Sequence, residues 1–146
     1  MFGYMANQIL AIDYGHKHIG IAISDESNTI AIPCPVLSRT PQLHQHIIEL
    51  CQQHQVGMVV VGMPLNQHGT YGHSAKQVLQ FVETLKSKLE LPITLVDERF
   101  STSFANRLLI SMDTSRNRRK EKIDSLAAAC LLESYLLSKQ SGLSDT

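Results

Sequence analysis

Tryptophan is absent from the chain, and the other aromatics are few: four tyrosines and four phenylalanines. Base stacking on aromatic side chains is a common source of affinity for single strands, so this composition argues against a protein that merely coats them. Net charge is absent too, because 13 basic residues are matched by 13 acidic ones. A general nucleic-acid coat is expected to be basic, so any phosphate binding must come from a local patch or from metal ions. Cysteine is scarce: Cys34, Cys51 and Cys130 make an odd count with no C-x-x-C pair. That argues against a disulfide framework or a zinc site and favours a reducing, cytoplasmic setting. No apolar run is long enough to span a bilayer. The first residues lack the charged and apolar regions of a secretory signal, so no membrane partner is expected. The loop Gly62-Met-Pro-Leu-Asn66 lacks the glycine and lysine spacing of a P-loop.

What is present suits one ordinary domain. Of 146 residues, 43% are hydrophobic and 18% charged, enough apolar mass for a real core over about residues 8–138, with 139–146 a polar, frayed tail. Leu10 to Ile12 and Ile19 to Ile23 are β-branched runs bounded by glycine, and their short link predicts an antiparallel hairpin. Thr29 to Val36 predicts a third strand, with Pro33 and Pro35 marking it as irregular or an edge. Thr40-Pro41 reads as a helix start, followed by Leu43, Ile47, Leu50 and Cys51 at helical spacing. His44 and His46 of that helix are expected to face solvent. Val56 to Gly62 is continuously apolar, as in the centre of a parallel sheet. A second helix carries the stripe Ala75, Val78, Leu79, Val82, Leu85 and Leu89, with Ser74 as N-cap. Pro92 to Val96 predicts a fifth strand, and Thr102 to Ser111 a short helix. The basic stretch 113–122 reads as a loop. A last helix from about Glu121 to Ser138 follows, its apolar face being Ile123, Leu126, Ala127, Cys130, Leu131 and Leu137. Helices between strands imply parallel crossovers, so the class is α/β with a five-stranded mixed sheet flanked by helices.

In an open α/β sheet, ligands gather outside the carboxyl ends of the strands. Asp13, the loop from Gly62 to Gly72 and the run Asp97-Glu98-Arg99 land on that edge. The last helix crosses the same sheet with Asp124 expected in its first turn. Asp13, Glu98 and Asp124 can therefore converge. Adjacent carboxylates repel unless a cation removes the cost, and hard oxygen ligands suit magnesium or manganese. Two such ions can activate water and stabilise the leaving oxygen of a phosphodiester. Each acid also has a plainer reading. Asp13 can be a turn former, Glu98 a partner of Arg99, and Asp124 a helix N-terminal acid. Asp97 and Glu98 point to opposite faces if the strand continues through them; Glu98 is preferred and Asp97 is the reserve. Arg118 and Arg119, just before Asp124, are candidate phosphate contacts, and Asn66 a candidate substrate contact.

Four segments together resemble the YqgF, or RuvX, family of Holliday-junction-resolvase-like nucleases. They are Asp13-Tyr-Gly15-His-Lys-His-Ile-Gly20 with Ser24-Asp25, Val61-Gly-Met-Pro-Leu-Asn66 with Gly69 and Gly72, Asp97-Glu-Arg-Phe-Ser-Thr102, and Lys122-Ile-Asp124-Ser-Leu-Ala-Ala128. The resemblance implies a ribonuclease H-like fold and a metal-dependent nuclease whose acids match Asp13, Glu98 and Asp124. It implies Mg2+ or Mn2+, two ions held weakly until substrate arrives, because magnesium dehydrates reluctantly. It also implies 5′-end maturation of pre-16S rRNA, with structured RNA and ribosomal precursor particles as partners, and an older assignment to branched DNA. Lys17, Asn66, Arg99, Arg118 and Arg119 would hold the substrate. One departure stands out: the position before Ile19, usually basic in the family, is His18, and Lys17 is the residue placed to compensate. A resolvase would act as a homodimer, whereas an RNA nuclease needs only a monomer. A silent nucleic-acid-binding assembly factor and a one-lobed relative of actin-like ATPases are the remaining readings.

Overall fold

The computed structural model of the chain describes residues 7–15, 18–64, 72–97 and 116–140, the last stretch with side chains from 126 to 139. Its strands are β1 (Gln8–Tyr14), β2 (His18–Ser24), β3 (Ala31–Ser38), β4 (Val56–Met63) and β5 (Ile93–Asp97). Its helices are α1 (Leu43–Gln53), α2 (His73–Lys88) and α3 (Arg116–Gln140). The strands form one sheet in the order β3-β2-β1-β4-β5. β2 is antiparallel to both neighbours, while β1, β4 and β5 are parallel. The mixed five-stranded sheet expected from the strand and helix order is therefore present.

Strand alternation sorts the core into two layers. On one face, Leu10, Ile12, Ile21, Val59 and Val61 pack with Leu43 and Ile47 of α1 and with Val78, Phe81 and Leu85 of α2. On the other, Ala11, Ala22 and Val60 pack with Ala128, Ala129, Leu131, Leu132 and Leu136 of α3. Small residues on both sides of this second layer let the helix lie close to the sheet. β3 is the outer strand next to β2, and its two prolines suit that place. Neither can donate to a neighbour, so Pro33 and Pro35 leave the outer edge poor in N–H groups and blunt pairing with another chain.

The amino end of β1 is fastened by a polar cluster around Ser24, the buried polar residue among those described. Its hydroxyl accepts the Ile9 N–H at 2.8 Å and donates to Asn28 Oδ1, while Gln8 Nε2 donates to its carbonyl. Beside it, the Asp25 carboxylate accepts the N–H groups of Thr29 and Ile30 at 2.8 and 2.9 Å and the Ser27 hydroxyl at 2.7 Å. These bonds, the one from Ile30 first, lower its pKa to about 2. The folded value lies below the unfolded one, so the stabilisation is present above about pH 4 and is lost as pH falls towards 2. Urea midpoints of wild type and Asp25→Ala should therefore differ at pH 7 and converge as pH falls towards 2.

Several sequence expectations shift. α1 begins at Leu43, not at Pro41: the Thr40 carbonyl accepts the Leu43 N–H at 3.0 Å and closes a turn ahead of the helix. Gly72, not Ser74, is the N-cap of α2, and Phe81 joins its buried face. His46 is exposed, but the His44 ring lies 5.2 Å from Phe81 with its Nε2 buried and unpartnered. Desolvation, with Lys88 nearby, lowers its pKa. α3 starts at Arg116, so the expected basic loop is helical from there onward. Arginine and lysine are good helix formers and nothing between 116 and 123 breaks a helix. Leu137 is 58% exposed, and Leu132 and Leu136 are buried in its place. Cys51 is buried, Cys34 and Cys130 are half-buried, and none of the three is in a disulfide. Burial pushes each up, Cys51 to about 11, which keeps them unreactive. No described helix is long and apolar enough to cross a membrane. The short helix expected over 102–111 and the tail beyond 140 lie outside the described residues.

Candidate active site

β1 and β4 are neighbours whose chains leave in opposite directions, β1 into β2 and β4 towards β5. Such a switch point opens a crevice at the carboxyl ends of the strands. Asp13 stands there, half-buried, one residue from the end of β1. Ile9 and Ala11 face α3, so alternation turns Asp13 to the α3 side as well.

The register around Asp13 removes side chains from its surroundings. Across β2 its partner is Gly20. On the other side, Ile12 pairs with Val61, so the next step sets Asp13 level with Gly62. Ala22 and Val60 face α3, and Gly20 and Gly62, two residues along each strand, share that face. The carboxylate is therefore flanked on both neighbouring strands by glycine, with Val96 of β5 completing the row. A Cβ at either glycine would stand beside the carboxylate. Without one, the two neighbouring strands leave a shallow bay beside Asp13 on this face. Neither Gly20 nor Gly62 is marked for this role by its own segment; their strand register is the signal that finds them.

The direction of α3 turns a second acid position towards this edge. The Tyr135 hydroxyl lies 3.7 Å from Met58 Sδ, and Met58 pairs with Ile9 near the start of β1. The helix packs across β2, β3 and β1, with its later turns towards the amino end of β1 and its earlier turns towards the carboxyl edge. Ala128 belongs to the same buried cluster as Ala11. From Ala11 to Asp13 is about 6.6 Å along the strand. From Ala128 back to position 124 is one turn on the same side, about 6 Å. Both steps lead towards the carboxyl edge, so position 124 lies nearer than Ala128 to the edge at which Asp13 stands. It lies in the third turn of α3 rather than the first, so the macrodipole does not account for an acid there.

Asp97 is the last residue of β5, paired with Met63 and exposed. Val96 faces α3, so Asp97 faces the other way. It is also two strands from Asp13, roughly 10 Å. Asp97 is therefore not brought together with Asp13. Glu98, Arg99, Lys17 and Asn66 lie outside the described residues. Arg118 and Arg119 belong to the first turn of α3, their side chains outside the description. That turn carries no acidic residue, so its cations oppose the helix dipole instead of complementing it. An anion bound near it would relieve both charges. His18, half-buried at the start of β2, alternates onto the face of Asp13. No group of three or more metal-binding side chains occurs among the described residues.

The sequence model of the RuvX family, described as Holliday junction resolvase, matches residues 7–138. A protein of Thermoanaerobacter pseudethanolicus named "Putative pre-16S rRNA nuclease" is 43% identical over 136 residues, covering 91% of this chain and 98% of its own. One of the same name from Syntrophomonas wolfei is 40% identical over 131 residues, 88% and 93% of the two chains. Among solved structures, RuvC of T. thermophilus in complex with Holliday junction substrate superposes with a TM-score of 0.56 at 15% identity, covering 92% of this chain and 96% of that one. The fowlpox virus resolvase with Holliday junction DNA gives 0.59 at 16%, covering 90% and 98%. At such identities the likeness speaks for the fold, and that fold is ribonuclease H-like.

Proposed function

The chain belongs to the RuvX family, a family of nucleases, and from that premise we propose that it cleaves structured RNA in 5′-end maturation of pre-16S rRNA. The observation that carries this is the bay at Asp13: a carboxylate at the switch point, flanked by glycine, with position 124 on the crossing helix lying towards the same edge. Asp13, Glu98 and Asp124 would hold divalent ions, magnesium or manganese. The donor set suits them, because carboxylate oxygens are hard ligands and the glycine row leaves room beside Asp13. Bound there, the ions would supply a water that is nucleophilic at neutral pH and charge compensation on the phosphate.

The chain's own residues do the rest. The glycine row admits the phosphodiester to Asp13. Lys17, Asn66, Arg99, Arg118 and Arg119 would grip the backbone on either side, and His18 adds a donor on the same face. The net charge is zero, so binding rests on this local set and should fall steeply with salt. Pre-ribosomal particles in the cytoplasm are the natural setting for such a substrate. The family's description as a resolvase favours one second reading, branched DNA, which needs a symmetric dimer to cut two strands.

The test is cleavage of a structured RNA spanning a pre-16S 5′ end beside a four-way DNA junction, each with manganese, magnesium or chelator. The expected result is metal-dependent cutting of the RNA in preference to the junction, by a species whose mass is that of a monomer. Preferred cutting of the junction by a dimer would transfer the assignment to the second reading. Binding that survives in chelator, with no cutting of either, would make the chain an assembly factor.

A further inference from the structure

Asp13 sits where β1 is running out of partners. The ladder with β2 ends one residue later at Tyr14 and Ile19, and beyond it a bond from the Gly15 N–H to the His18 carbonyl, at 3.2 Å, closes the turn. Strand ends of this kind open first, yet a carboxylate that holds an ion has to stay in place. Arg39, just past the end of β3, supplies a further tie. β3 is separated from β1 by β2, so the side chain reaches across roughly 10 Å of sheet. Its guanidinium lies 4.6 Å over the Tyr14 ring, and its Nη1 donates to the Gly15 carbonyl at 3.5 Å. Tyr14 in turn stacks on Phe81 of α2 at 4.5 Å, and Phe81 meets His44 of α1. The stack runs from the loop after β3, through the residue next to Asp13, into both helices of that face.

We propose that Arg39 is a positioning residue for Asp13, clamping Tyr14 and Gly15 so that the carboxylate is held at a fixed place beside the glycine row. This rests on the reading of Asp13 as a metal-holding acid. Tyr14 alternates onto the face opposite Asp13, so a guanidinium stacked on it acts through the backbone and not on the bound phosphate. Arginine suits the task because one planar group can stack and donate at once, whereas lysine can do only one of these well.

The experiment compares wild type, Arg39→Ala and Arg39→Lys in cleavage of the pre-16S RNA. Manganese titration followed by electron paramagnetic resonance and amide exchange at Gly15 are recorded on the same proteins without RNA. In Arg39→Ala, kcat should fall about five- to tenfold, as loss of a cation–π contact and a hydrogen bond implies, with KM within about twofold. Manganese should bind several-fold more weakly, and the Gly15 amide should exchange faster. Arg39→Lys should fall between the two. A raised KM with unchanged kcat and a shallower salt dependence would mean that Arg39 grips phosphate, and the proposal would be wrong. Unchanged Gly15 exchange would also overturn it. If wild type cuts no RNA, the functional reading fails by itself, while exchange and manganese binding still decide the clamp.

Discussion

Asp13→Asn stops cleavage and leaves the fold standing. The amide keeps the size of the carboxylate, so the bay between Gly20 and Gly62 keeps its shape. What it loses is the charge that makes an oxygen a ligand for a hard cation. Mutating outer partners of a metal site already costs about 10- to 100-fold, so removing a ligand should cost well over about 100-fold in rate. Stability should move the other way or not at all. Asp13 makes no hydrogen bond among the described residues that the fold depends on, and in the proposed three-acid site removing one carboxylate would relieve mutual repulsion when no ion is present. The measurement is the single-turnover rate in manganese beside the urea midpoint in chelator. A variant that cuts at the wild-type rate would remove Asp13 from the site, and with it the argument from the glycine row. Loss of both rate and fold would mean that the acid serves the hairpin instead.

Asp13 could be read from the sequence because everything that places it is local. The apolar run Leu10 to Ile12, the glycine turn and the returning run Ile19 to Ile23 lie within sixteen residues of one another, and they pair as hairpins do. The strand expected over Val56 to Gly62 was equally legible, since a doubly covered strand is apolar at nearly every position, and it extends one residue further to Met63. The glycine row was not. Gly20 and Gly62 meet at Asp13 only through the register of β1 with two different strands, and register is not written in either segment alone. The same holds for Arg39, whose partners Tyr14 and Gly15 are two strands away.

α3 keeps Ala127 and Leu131 of its expected face buried, and departs from the expectation only at its start and at Leu137. From Leu126 to Leu137 it is apolar on most sides, so periodicity gives no clear phase. The stripe with Leu137 and the stripe with Leu132 and Leu136 fit the sequence almost equally. The sheet decides between them, because Ala11 and Ala22 offer a shallow surface that receives Ala128 and Ala129. The helix also begins earlier than its apolar portion suggests, since the basic residues from Arg116 propagate a helix without contributing to a core. Charge patterning marks a solvated face but does not separate loop from helix.

That choice of phase yields the second large effect. Ala128→Leu should destabilise the protein and, beyond that, disable the site. Ala128 has no exposed surface and lies in the cluster that holds Ala11 and Ala22, which are equally closed. A leucine there has no cavity to enter, and overpacking of this kind costs about 1–3 kcal/mol. For a chain of this length that lowers the melting temperature by roughly 3–10 °C. The fold can yield only by letting α3 ride away from the sheet. Because position 124 is one turn from Ala128, that movement carries it away from the sheet edge at which Asp13 stands. Misplacement by about 1 Å can cost about 100-fold in rate, so activity should fall much further than the folded fraction does. Leu137→Ala on the exposed side of the same helix should change stability by less than about 0.5 kcal/mol and leave cleavage alone. Rates measured well below the melting temperature, with the folded fraction known from urea curves, separate the two losses. A leucine at 128 that costs neither stability nor rate would mean that α3 does not lie on the sheet in this phase. The approach of position 124 to Asp13 would then have to be given up.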